Sequence, residues 1–160
     1  MAVEQSPAAL RAAFLFQITK FTSWPGDVLG AGVPITSCFV GRGVADIAAI
    51  YGQSTAKREV ADHPLTALTF DNWTALGHHL ESHNCHLIVA AQSNGALDSV
   101  THHAERASLL VGLDSQWLKQ GGMLALMVDG ERITIAINRR NLDASRLRLE
   151  PRFLRLAKEL

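Results

Sequence analysis

The sequence lacks most of the features that announce a function. Its 160 residues include two cysteines, Cys38 and Cys85, too few for a disulfide scaffold. No Cys-x-x-Cys or His-Glu-x-x-His spacing occurs, so no zinc ribbon or metalloprotease helix is encoded. The Gly-x-Ser-x-Gly elbow of the α/β-hydrolases is missing. Acidic and basic residues balance at 15 each, and a net charge of zero gives no electrostatic case for nucleic acid or an anionic membrane. No run is long and apolar enough to span a bilayer. The segment Met1 to Ser6 carries Glu4 and lacks the basic start and apolar stretch of a signal peptide. Composition fits either a cytoplasmic chain or an exported one whose leader lies outside this sequence.

What is present is a well-patterned globular chain. Apolar residues make up 48% and charged ones 19%, enough to bury one core, and no repeat or linker divides residues 1–160. Ser6-Pro7 opens a helix, with serine as N-cap and proline in the first turn. Leu10, Phe14, Ile18 and Phe21 recur at helical spacing, with Arg11 outside that stripe, and Trp24-Pro25-Gly26 ends the helix. Three apolar runs, Pro34 to Gly41, Cys85 to Ala91 and Ser108 to Leu113, have the unbroken hydrophobicity of strands buried on both faces. Shorter strands are expected at Arg58 to Ala61 and Ala67 to Phe70. Between them helices are expected at Val44 to Tyr51 (stopped by Gly52), Trp73 to Leu80 and Ala96 to Arg106, with a helical turn at Ser115 to Lys119.

After Gly121-Gly122 the rhythm changes. Met123 to Val128 and Arg132 to Ile137 flank Asp129-Gly130, a strong hairpin signal. Pro151 then opens a last helix with Phe153, Leu156, Ala157 and Leu160 on one face. The predicted fold is an α/β three-layer sandwich. It has a mixed, mostly parallel sheet with helices on both faces and a C-terminal β-hairpin and helix.

Candidate chemistry is thin. Gly41-Arg42-Gly43 follows a strand and precedes a helix, as in a dinucleotide fingerprint, but Asp46 stands where a small residue is needed. A tight βα turn explains the same residues. His78, His79, His83, Cys85 and His86 are metal-ligand types close in sequence. Surface histidines near a helix end, favourable to its dipole, are the better reading, and no metal is assigned. No catalytic residue and no cofactor are assigned either. The cysteines lie in apolar runs. Two buried thiols fit this placement, and a bridge would need an oxidising compartment and close Cα atoms. Basic residues crowd the C-terminal third but are interspersed with acids, as on a solvated face. Trp24, Trp73 and Trp117 are either core residues or partner anchors.

Several segments, in order, resemble the YfiR-like family. Arg11 to Pro25 is similar to its opening helix and closing Trp-Pro. Cys38-Phe39-Val40-Gly41 and Cys85-His86-Leu87-Ile88 resemble its two cysteine-bearing strands. Gly121-Gly122-Met123-Leu124 resembles its Gly-Gly-Met turn, Gly130 to Asn138 its hairpin, and Leu147 to Ala157 its closing helix. Ala136 departs from the pattern, which has a larger or charged residue there. The resemblance implies an exported, periplasmic regulatory protein, not an enzyme, with a leader that this chain does not contain. It implies binding to the periplasmic domain of a membrane diguanylate cyclase, which lowers cyclic-di-GMP output and so biofilm formation. An outer-membrane lipoprotein would relieve the inhibition. It makes Cys38 and Cys85 a disulfide pair. Trp24, Trp117, Glu131 and Ile137 are the expected partner contacts, and a homodimer is left open. Apart from the resemblance, a small-ligand module is the other reading, with a nucleotide or amino acid held near Gly41 to Gly43 at the strand ends.

Overall fold

Apolar runs without alternation are buried on both faces only in the middle of a covered sheet, and there the three runs lie. The computed structural model describes residues 6–93, 95–96 and 107–159. In chain order the elements are α1 (Pro7–Phe21), β1 (Thr22–Ser23), β2 (Ile35–Val40), a 3₁₀ turn (Arg42–Val44), α2 (Ala45–Thr55), β3 (Glu59–Val60), β4 (His63–Phe70) and α3 (Trp73–Leu80). Then come β5 (Leu87–Ala90), β6 (Leu109–Gly112), α4 (Ser115–Lys119), β7 (Leu124–Asp129), β8 (Arg132–Ile137), α5 (Arg139–Asp143), β9 (Arg148–Leu149), α6 (Pro151–Leu156) and β10 (Lys158–Glu159). The expected helix Ala96 to Arg106 falls almost wholly outside the described residues.

The main sheet runs β10-β8-β7-β6-β5-β2-β4-β3. Strands β4, β2, β5, β6 and β7 are mutually parallel, while β8 returns antiparallel to β7. Alternation along β2 separates the two covering layers. Phe39 packs on Tyr51 of α2 at 5.7 Å between rings, and Ser37 lies 3.5 Å from the same tyrosine hydroxyl. Cys38, between them, faces the other side, toward α3. Helix α1 packs on α2 and reaches β7. The three-layer α/β sandwich expected from the sequence is therefore the fold.

The structure moves several local details. Helix α1 buries Ala12, Leu15, Ile18 and Thr19 most deeply; of the expected stripe, Ile18 is fully buried, Phe14 and Phe21 pack half-buried against the core, and Leu10 is half-buried. The rotation brings Arg11 inward, where its Nε donates to the Leu126 carbonyl at 2.9 Å. Helix α2 does not stop at Gly52 but runs to Thr55, since glycine tolerates a helix interior at modest cost. The hairpin loop is Gly130-Glu131, one residue later than Asp129-Gly130, because Asp129 still pairs with Arg132. Gly130 has φ 63° at the first loop position, the geometry of a type II′ turn. The last helix ends at Leu156, which is 80% exposed, and Lys158–Glu159 leave it to pair parallel with β8. Ala136 is fully buried between β7 and β10, so a charged residue there would have no partner.

Trp117 organises the right half of the sheet. It is 1% exposed, and its Nε1 donates to the Leu110 carbonyl at 3.3 Å. Its indole lies against the backbone of Gly112 and Gly122, so a Cβ at either glycine would run into the ring. Gly122→Ala should therefore lower unfolding free energy by about 1–3 kcal/mol through overpacking. Gly77→Ala, in α3 where nothing lies within 4 Å of the added carbon, should raise it by about 0.4–1 kcal/mol. Urea denaturation of both variants checks the pair, and equal midpoints would contradict this packing.

Candidate functional site

The expected contacts do not form one surface. Glu131 is exposed at the hairpin tip, and Trp24 is half-buried in the loop after α1. Trp117 and Ile137 are buried at 1% and 0% exposure, and so are removed from the set of side chains that can touch a partner. The reason is local. Trp117 covers two glycines, and Ile137 pairs with Leu124 in the sheet interior. Trp24 is also partly committed, since its Nε1 donates to the His86 carbonyl at 3.0 Å.

The hairpin is firmly mounted. Asn138 caps α5 through a 3.1 Å bond from the Asn141 amide, and its own amide donates to the Leu118 carbonyl at 3.0 Å. Asn141 donates to Leu118 and to Gly122 at 2.8 Å. Two asparagines thus lock the exit of β8 to the turn before β7. Asparagine three residues before a second polar residue is an N-cap signal that the sequence offered and the reading missed.

Cys38 and Cys85 form a disulfide with Cα atoms 5.9 Å apart and both side chains fully buried. Strand β5 starts at Leu87, after a bend at His86, so Cys85 lies in the approach to the strand and not within it. His79, at the end of α3, packs at a tilt against Phe70 (5.1 Å) and stacks on His83 (4.7 Å). The ligand-type atoms of Cys38, Cys85 and His79 all lie within 4.8 Å of one another. Burial, and then the neighbouring His83, hold the His79 pKa below its ordinary value. His78, by contrast, faces solvent beside Glu81.

His86, next to Cys85, is a second node. It is 2% exposed. Its Nδ1 accepts from the Thr36 amide at 2.9 Å, which makes Nε2 the protonated nitrogen, donating to the Val28 carbonyl at 2.8 Å. Burial depresses its pKa, the Val28 bond opposes that, and His63 adds to the depression. No sequence motif distinguishes this histidine from its neighbours.

The glycine turn is a tight, well-packed βα connection. A crevice of about 360 Å³ does open there, bordered by Gly41, Asp71 and Trp73. The Gly41 amide is committed to the turn, donating to the Phe70 carbonyl at 2.9 Å. Gly43 sits so close to Ala91 that an added Cβ would lie 2.8 Å from it, so its role is helix–sheet packing.

No helix among the described residues is long and apolar enough to cross a membrane. The sequence model of the YfiR/HmsC-like family matches residues 8–158. No curated protein matches the chain.

Two stability outcomes follow. The 47-residue separation of the cysteines makes the bond worth roughly 4 kcal/mol by loop entropy, so the Cys38→Ala/Cys85→Ala double variant should lose 2–5 kcal/mol, roughly, in denaturant unfolding. His86 has a folded-state pKa below that of the unfolded chain, which is about 6.5. Its contribution is therefore complete above that pH and is lost as pH falls below it, because the unfolded chain takes the proton first. The melting temperature should drop from pH 7.5 to 5.5, and less steeply in His86→Gln. Equal slopes would contradict the assignment.

Proposed function

The chain belongs to the YfiR/HmsC-like family, and on that premise we propose that it is a periplasmic regulator that represses a membrane-anchored diguanylate cyclase and so lowers cyclic-di-GMP signalling. The observation that carries this reading is the extent of the family match, residues 8–158 of 160. The buried disulfide supports it, because such bonds persist in oxidising compartments.

The regulator would act by binding. It holds the cyclase's external domain in an inactive arrangement, and the strength of repression equals its differential affinity for that state. An outer-membrane lipoprotein that captured the regulator would lift repression by mass action. On this chain, Glu131 supplies an exposed charge at the tip of the hairpin and Trp24 a partly exposed aromatic face. Trp117 and Ile137 contribute by fixing the hairpin's position.

Calorimetric titration against the purified external domain of a diguanylate cyclase encoded beside this protein should give micromolar or tighter binding. Glu131→Arg and Trp24→Ala should each weaken it by about ten-fold, with the circular dichroism spectrum unchanged. Absence of binding by both oxidised and reduced protein would overturn the reading.

A further inference from the structure

We propose that Cys38, Cys85 and His79 form a zinc(II) site when the disulfide is reduced, so that the same atoms alternate between a covalent bond and a metal centre. This stands apart from the regulatory reading, since it rests only on the geometry around the disulfide.

Three features carry it. The first is placement: one imidazole nitrogen and both sulfurs already lie within 4.8 Å of one another. Ligands around a tetrahedral zinc with 2.3 Å zinc–sulfur bonds stand about 3.8 Å apart, so cleavage of the disulfide leaves the sulfurs only a short separation to make. The second is charge. Two thiolates and one divalent cation sum to zero, and the third donor is a neutral imidazole. Both cysteines are fully buried, and a neutral complex is the kind of metal centre such a site tolerates. The third is donor type: two sulfurs and one nitrogen, with no carboxylate in the cluster, favour zinc over magnesium or calcium. The fourth position falls to water or to His83, whose ring lies 4.7 Å from that of His79.

The chemistry balances with a dithiol as reductant. The Cys38–Cys85 sulfur–sulfur bond breaks, a sulfur–sulfur bond forms in the dithiol, and two electrons and two protons pass to the protein. Zinc then displaces the two thiol protons to solvent. A second disulfide reverses the step: its sulfur–sulfur bond breaks, it takes up the two electrons and two solvent protons as two thiols, and the Cys38–Cys85 bond re-forms, expelling the metal because a disulfide sulfur no longer carries the charge that held it.

The site was hard to find from the sequence because its spacing, Cys38, His79 and Cys85, matches no ligand motif. Only β2, the end of α3 and the bend before β5 bring the three together.

The test uses cobalt(II), whose thiolate complexes absorb in the near ultraviolet. Protein reduced with tris(2-carboxyethyl)phosphine and desalted without oxygen should bind one equivalent with that absorption, and zinc should displace it. Oxidised protein should show none. His79→Ala should weaken cobalt binding at least about ten-fold, while His78→Ala should bind normally. Thiolate absorption unchanged in His79→Ala, or absent from reduced wild-type protein that circular dichroism shows to be folded, would overturn the proposal. So would a reduced chain that stays unfolded with cobalt present.

Discussion

The bond between Cys38 and Cys85 crosses from the central strand β2 to the approach of β5. Much of the architecture is fastened within one residue of it. His86 carries the loop that returns from α1, through Val28 on one ring nitrogen and Thr36 on the other. Its own carbonyl accepts from Trp24 and from the amide of Leu109. Strands β2, β5 and β6 and the loop after α1 are therefore referenced to a single dipeptide. Further along the loop, Asp27 pairs with Arg146, and the end of α1 pairs with the C-terminal segment through β1 and β9. Parallel strands need covering layers on both faces. A loop that slipped would uncover one of them, which is why this junction constrains the helices as well as the sheet.

Polar groups inside the core follow the same economy of partners. The hydroxyls of Thr19, Thr22 and Thr55 each return to the carbonyl four residues back. Ser93 donates to Gln120. Buried hydroxyls left without acceptors would cost about 1–3 kcal/mol each, so these bonds offset a penalty and fix rotamers near the helix ends. The glycines beneath Trp117 do related work by subtraction. They leave room for a large ring to cover strand backbone, and its N–H still finds Leu110.

Much of this was legible because it is local. Ser6 caps α1 as expected, through the Ala9 amide, and Trp73–Leu80 is helical throughout. The buried strands announced themselves by composition. What failed depended on facing partners. Arg11 looks solvent-facing until β7 offers it a carbonyl. Gly52 looks like a stop because propensity outweighs packing on paper, while Tyr51 and Thr55 on either side are buried. Trp117 looks like a partner anchor because tryptophan serves both cores and interfaces, and only the two glycines decide between them. The disulfide came through family resemblance and not from spacing. Residue types alone made two buried free thiols the default, and the bend at His86 that brings Cys85 near Cys38 has no signature.

The buried positions of Trp117 and Ile137 also bear on what kind of surface remains. Among the described residues, the large apolar side chains left exposed are Val33 and Leu156, and they form no patch at the hairpin tip. Obligate partners usually meet through extended apolar faces. Where a contact surface is charged rather than apolar, charge sets orientation and encounter rate. The hairpin tip is charged (Asp129, Glu131, Arg132), while its base is held by Asn138 and Asn141. Rigid mounting lowers the ordering cost of each encounter. It also means that changes deep in the sheet, at Gly122 or Trp117, can displace the tip without touching it.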